Sequence, residues 1–152
     1  MSDPVIYNAT FPSLRGTETV ADAIQRMLDD RVSDLPVVDA SGKLLGMFRL
    51  DRLYATLLPK AALIGYGVPD LAFVSDTLGQ LREKMREIED LAVQDFVVRP
   101  AHVVHPDTPP LELVLLLHQG INNIPVLDRA DGRLVGMVSA RDLLTALHAQ
   151  GK

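Results

Sequence analysis

The residues best placed for chemistry stand in Gly136-Met137-Val138-Ser139-Ala140-Arg141-Asp142-Leu143, where a hydroxyl and a carboxylate lie three residues apart just after an apolar run. At a helix start this spacing lets Ser139 accept from the backbone N–H three residues on while Asp142 reaches back, which is a capping box. Other reactive constellations are missing from the sequence. There is no cysteine, which removes disulfides, thiol catalysis and cysteine-based zinc sites. His102, His105, His118 and His148 lack metal-like spacing, and His102 and His105 face opposite ways along a strand-like run. No Ser/His/Asp set, Gly-rich phosphate loop or carboxylate pair stands out, so neither an enzyme nor a bound metal is expected.

The elements that hold Ser139 and Asp142 are readable. Pro125-Val126-Leu127 runs into the turn cluster Asp128-Arg129-Ala130-Asp131-Gly132, and Leu134–Val138 resumes the apolar run, which predicts a β-hairpin feeding a helix. The same string occurs earlier, in Pro36-Val37-Val38-Asp39, a turn, and Leu44-Leu45-Gly46-Met47. Pro36 and Pro125 stand 89 residues apart, and Gly46 and Gly136 stand 90, so the second copy carries one extra turn residue. An ordered string of this kind twice in one chain implies duplication. The copies differ at the helix start, where Arg49 and Arg52 stand in place of the Ser139 and Asp142 pair, and Asp51 is displaced by one residue, about 100° round the helix.

Upstream, a short strand is expected at Val5-Ile6-Tyr7, then a helix capped by Thr17 or Thr19 with Val20, Ile24, Met27 and Leu28 on its buried face. Leu50–Leu58 is expected to be helical up to Pro59. The counterpart helix of the second copy starts at Thr108 with Pro109 in first position. Its run Leu111–Leu117 is apolar nearly all round, which calls for cover on more than one side and marks it as an association surface. Gly120 ends it, and Leu143–Leu147 form a closing helix before the tail 150–152. Between the copies, Ala61–Pro69 is apolar and broken by Gly and Pro. Beyond it Ser75 or Asp76 would cap a helix with Leu78, Leu81, Met85 and Ile88 on one face and a solvated charged face opposite.

A chain of 152 residues suits two half-size lobes sharing a core, and with aromatics at 5% that core must be built from Val, Leu, Ile and Met. A net charge of −5 argues against broad binding to nucleic acid or anionic membranes. No apolar run approaches the ~18 residues of a membrane span and the N-terminus lacks the marks of a signal peptide, so a cytoplasmic protein is expected.

Both copies resemble CBS domains, the β-α-β-β-α modules that occur in pairs. The resemblance is carried by Gly120–Asp128, Gly136–Leu143, Val93–Val97 and Val103–Thr108. It implies an α+β fold of two lobes related by a pseudo-two-fold axis, with repeat 1 at 1–58, a helical insertion at 59–94, longer than the family's usual connection, and repeat 2 at 95–152. It implies no chemistry but a regulatory module that binds AMP, ADP, ATP or S-adenosylmethionine between the repeats and signals to a partner protein. The other reading is a ligand-free interaction module. No cofactor is required, and a homodimer is expected.

In the family's signature, G-h-h-S/T-x-x-D, the helix N-terminus and hydroxyl meet a phosphate while the carboxylate accepts from ribose hydroxyls. The second copy fits at Gly136, Ser139 and Asp142, flanked by Arg141. By analogy Val104, His105 and Thr108, with Ile121, Asn122, Asn123, Ile124 and Pro125, complete the cleft, and Arg49 and Arg52 could reach phosphates across it. A capping box needs Ser139 and Asp142 at this spacing whether or not a ligand binds, so spacing does not separate the two readings.

Overall fold

The structure, a computed structural model, describes residues 6–58 and 77–149. The expectations at Val5, at 59–76 and at the tail 150–152 lie outside them. In the first repeat, β1 (Leu14–Arg15), α1 (Val20–Asp30), β2 (Asp34–Val38), β3 (Leu44–Arg49) and α2 (Leu50–Ala55) follow in order, and α3 (Leu78–Ile88) comes next. The second repeat has α4 (Pro110–His118), β4 (Ile124–Leu127), β5 (Leu134–Val138) and α5 (Ala140–His148). The two sheets are β1-β2-β3 and β4-β5. A single parallel bridge from Val104 to Val126 stands where β1 stands in the first repeat, since Leu14 pairs with Val37.

Both hairpins form as expected, with Gly46 opposite Val37 and Gly136 opposite Val126. Each turn is built on an aspartate that accepts from backbone N–H groups ahead of it: Asp39 from Ser41 and Lys43, Asp128 from Ala130. The turns of the two repeats meet through a Lys43–Arg133 bridge, two residues that are themselves 90 apart.

The lead-in segments are exchanged between lobes. Asn8 bridges to Met137 of β5, and Val98 bridges to Met47 of β3, again at an offset of 90. Ile6 and Tyr7 pack on the second core with Val104, Leu113, Ile124, Val126, Val138 and Leu143. Conversely Val93, Phe96 and Val97 belong to the first core with Leu14, Val20, Ala23, Val37 and Phe48, and so do Met85 and Ile88 of α3. Packing therefore crosses the sequence repeat.

Several expectations need correction in detail. Leu28 is exposed and Ala23 is buried, because at 100° per residue position 23 falls beside 20 and 27 whereas 28 falls at the stripe's edge. The cap of α3 is Thr77, not Ser75 or Asp76, since Thr77 and Gln80 form a reciprocal capping box. Leu78, one residue inside it, is exposed. The run after Arg49 is helical only to Ala55, and beyond it the Thr56 hydroxyl donates to Leu53 O. Thr108 does not cap α4: Pro109 does, because a residue preceding a proline is driven out of the helical region, and Pro110 takes the first helical position. Nor is α4 covered all round, for Leu113 is buried while Leu111 is 78% exposed and Leu115 is exposed too.

Candidate functional site

Ser139 caps α5 as its spacing predicts. Its hydroxyl oxygen accepts from the Asp142 N–H at 3.2 Å, while Asp142 Oδ2 accepts from the Ser139 N–H at 2.8 Å and from its Oγ at 3.0 Å. One carboxylate oxygen is thus committed to the cap. Arg141 is exposed beside it. None of these three residues lines the cavity between the repeats or the cavity at the start of α4.

The first cavity, about 280 Å³, lies between the repeats. Repeat 1 contributes Asp34, Met47 and Arg49, the connecting segment contributes Arg99–His102, and the lead-in to β4 contributes Gly120–Pro125. Gly120 and Asn123 make that lead-in turn sharply, with φ of +86° and +53°. The left-handed region costs glycine nothing and asparagine little. Arg49 enters because it sits at the junction of β3 and α2, opposite Asp34 in the ladder. Its Nε lies 3.2 Å from Asp51 Oδ1 and 3.9 Å from Asp34 Oδ1. Burial pushes the Asp34 carboxyl above its usual range, Arg49 pulls it down, and Asp51 adds to the rise. Arg99 is exposed and has no ion pair among the described residues. The arrangement offers two guanidinium groups, one imidazole and a backbone-lined wall, which suits an anionic ligand with a planar body.

The second cavity, about 410 Å³, opens at the start of α4, walled by Val104–Pro110, Ile6 and Tyr7 over Leu113, Val126 and Val138. The His105 N–H donates to Thr108 Oγ1 at 2.9 Å, so Thr108 braces this loop. His105 Nδ1 lies 2.9 Å from Leu127 O, and because a carbonyl only accepts, that nitrogen carries the proton. At the rim, hydrogen bonds from Arg129 hold the Asp107 carboxyl below its usual range.

The structure therefore divides the residues that the sequence grouped. Ile121–Pro125 and Arg49 share the inter-repeat cavity, Val104, His105 and Thr108 share the other, and Arg52 lies exposed on α2 outside both. His102 and His105 open on different cavities, as their alternation predicts. Asp34, Arg99 and His102 were missed as site residues, although the repeat offset could have found Asp34, the counterpart of Asn123. The pairing is crosswise: the lead-in of one repeat faces the β–α junction of the other. The offset of 90 carries Arg49 onto Ser139.

Two pseudo-symmetric α+β lobes with a cleft between them define a tandem-repeat module. The family model for the CBS domain matches residues 1–58 and 88–149, and the chain belongs to that family as a pair of CBS repeats. Its fold is similar to that of the CBS domain of a CBS domain-containing membrane protein from Sphaerobacter thermophilus, at 21% identity and TM-score 0.67 over 98% of this chain and 90% of that one. It is likewise similar to CBSX2 in complex with AMP, at 22% identity and TM-score 0.64 over 94% and 91%. A CBS domain-containing protein of unknown function from Kribbella flavida superposes with TM-score 0.70 at 19% identity over 95% and 96%. No curated protein matches the chain. Among the described residues no helix is long and apolar enough to cross a membrane.

Proposed function

We propose that the chain is a non-catalytic regulatory module that takes an adenosine-type ligand, AMP, ADP, ATP or S-adenosylmethionine, in the inter-repeat cavity and passes the change in lobe geometry to a partner protein. The observation that carries this reading is the cavity itself, walled by both repeats and furnished with Arg49 and Arg99 for phosphate and Asn122–Pro125 for the base. The likeness of fold to CBSX2 in complex with AMP supports it. Such ligands belong to the cell interior, so the proposal places the module in the cytoplasm. Ser139, Arg141 and Asp142 would serve a counterpart site at the β5–α5 junction, where the Asp142 oxygen outside the cap would be the acceptor. The complete Ser139–Asp142 cap also fits the rival reading, a ligand-free interaction module.

A thermal-shift screen of the four compounds separates the two. A ligand at 100 times its Kd adds about 2.7 kcal/mol to stability. The double variant Arg49→Ala/Arg99→Ala is expected to lose most of the response to the phosphate-bearing ligands, whereas Arg52→Ala keeps it. No shift with any compound would favour the ligand-free module.

The proposal includes a homodimer. Leu111 and Leu115 on α4, with Leu144 and Leu147 on α5, present exposed apolar side chains that a second copy would cover. Sedimentation at tens of micromolar is expected to give a dimer, and Leu115→Glu with Leu144→Glu a monomer; a monomeric parent would overturn the assignment.

A further inference from the structure

We propose that Asp34 is a specificity-determining residue of the inter-repeat cavity: its carboxylate accepts from the 2′- and 3′-hydroxyls of the ligand's ribose, so the site takes a ribonucleotide and rejects the deoxyribonucleotide. The inference rests on the adenosine reading above and adds to it a residue and a selectivity. Asp34 stands at the first position of β2, directly opposite Arg49 at the last position of β3. Residues paired across two strands project to the same face of the sheet, and both line the cavity. Among the lining residues Asp34 carries the only carboxylate. Its Oδ1 lies 3.9 Å from Arg49 Nε, near enough for attraction and too far for a hydrogen bond. The Asp51 carboxylate takes that Nε, at 3.2 Å. A guanidinium has further N–H donors on its terminal nitrogens, so Arg49 can meet a phosphate while Asp34 keeps its oxygens for a different donor.

The closeness of the two groups identifies that donor. A carboxylate repels a phosphate, so the phosphate lies on the Arg49 and Arg99 side and the next part of the nucleotide meets Asp34. That part is the sugar, whose two neighbouring hydroxyls match the two oxygens of one carboxylate. The amino group of the base lies at the far end of the molecule, toward the wall formed by Gly120–Pro125. Burial raises the Asp34 carboxyl above its usual range, which means that its charge is poorly solvated in the protein. Two O–H donors from a ligand restore the lost solvation.

Titration calorimetry on the full chain compares AMP with 2′-deoxy-AMP and with IMP, which carries a carbonyl in place of the amino group. The parent is expected to bind AMP about tenfold or more tighter than 2′-deoxy-AMP, the worth of one hydrogen bond to a charged group. Asp34→Ala should bring the two within about twofold, and Asp34→Asn, which keeps a neutral acceptor, should leave an intermediate ratio. Neither variant should change the ratio of AMP to IMP. The comparison of nucleotides on the parent needs no variant, so a misfolded Asp34→Ala does not blunt the test. Equal binding of AMP and 2′-deoxy-AMP by the parent overturns the assignment and leaves the adenosine reading standing. So does a ribose preference that survives Asp34→Ala, as one set by Asp142 would, or a change in the ratio of AMP to IMP alone. No binding of AMP overturns both.

Discussion

Val93→Asp is expected to unfold the first lobe well below the melting temperature of the parent chain. Val93 has no exposed surface, its neighbours are all aliphatic or aromatic, and no buried polar or charged residue is found among the described residues to meet a carboxylate. An uncompensated buried charge costs about 3–5 kcal/mol. For a chain of this length each kcal/mol lowers Tm by about 2–4 °C, so a fall of roughly 6–20 °C is expected. Val93→Ala, which removes about two methylene equivalents at ~0.8 kcal/mol each, should cost about half as much or less. Differential scanning calorimetry on the three proteins measures both. An Asp variant as stable as the parent would show that residues beyond the first repeat do not close its core.

Gly136→Ala should destabilise the second lobe by about 1–3 kcal/mol through overpacking. A Cβ there would lie 2.5 Å from Tyr7 Cδ2 and 2.7 Å from Asn8 O. The tyrosine ring can turn, but the Asn8 oxygen is backbone, held by its bond from the Met137 N–H at 3.1 Å while the Asn8 N–H donates to Met137 O at 2.7 Å. Moving it breaks the exchanged bridge. Gly46→Ala meets Val98 O at 2.8 Å and should behave alike, since Val98 crosses β3 as Asn8 crosses β5. Gly79→Ala is the contrast: inside α3, with only Thr77 Oγ1 at 3.7 Å, it should stabilise by about 0.5–1 kcal/mol. Urea midpoints give all three, and a neutral Gly136→Ala would refute the close approach of the lead-in segment.

Local chemistry was enough to read most elements. Alternation and turn residues located both hairpins, the Ser139–Asp142 spacing located the cap of α5, and Gly120 located the end of α4, because each depends on contacts within a few residues. Errors at that level were also local: Thr108 lost the cap to the residue preceding Pro110, and Ser75 and Asp76 lost theirs to the box that Thr77 makes with Gln80. The repeated Gly-Met was visible as a mark of duplication, but its reason was not. Gly46 and Gly136 are required where a segment about 50 or more than 120 residues away in sequence crosses the strand, and no local pattern encodes a contact of that separation.

The sites show the same division. That Gly120–Pro125, Ser139, Asp142 and Arg49 could hold a ligand came from their types and spacing together with the family resemblance; which of them share a cavity came only from the tertiary structure. Sequence order groups Asn122 with Ser139, seventeen residues on in the same repeat, whereas the packing of the two repeats places Asn122 in one cavity with Arg49 of the other repeat. Apolar pattern states which face of a strand is buried, and both repeats carry the same pattern, so it is indifferent to which lobe covers which. The choice rests on long-range packing, where Val93, from beyond the first repeat, fills the first core.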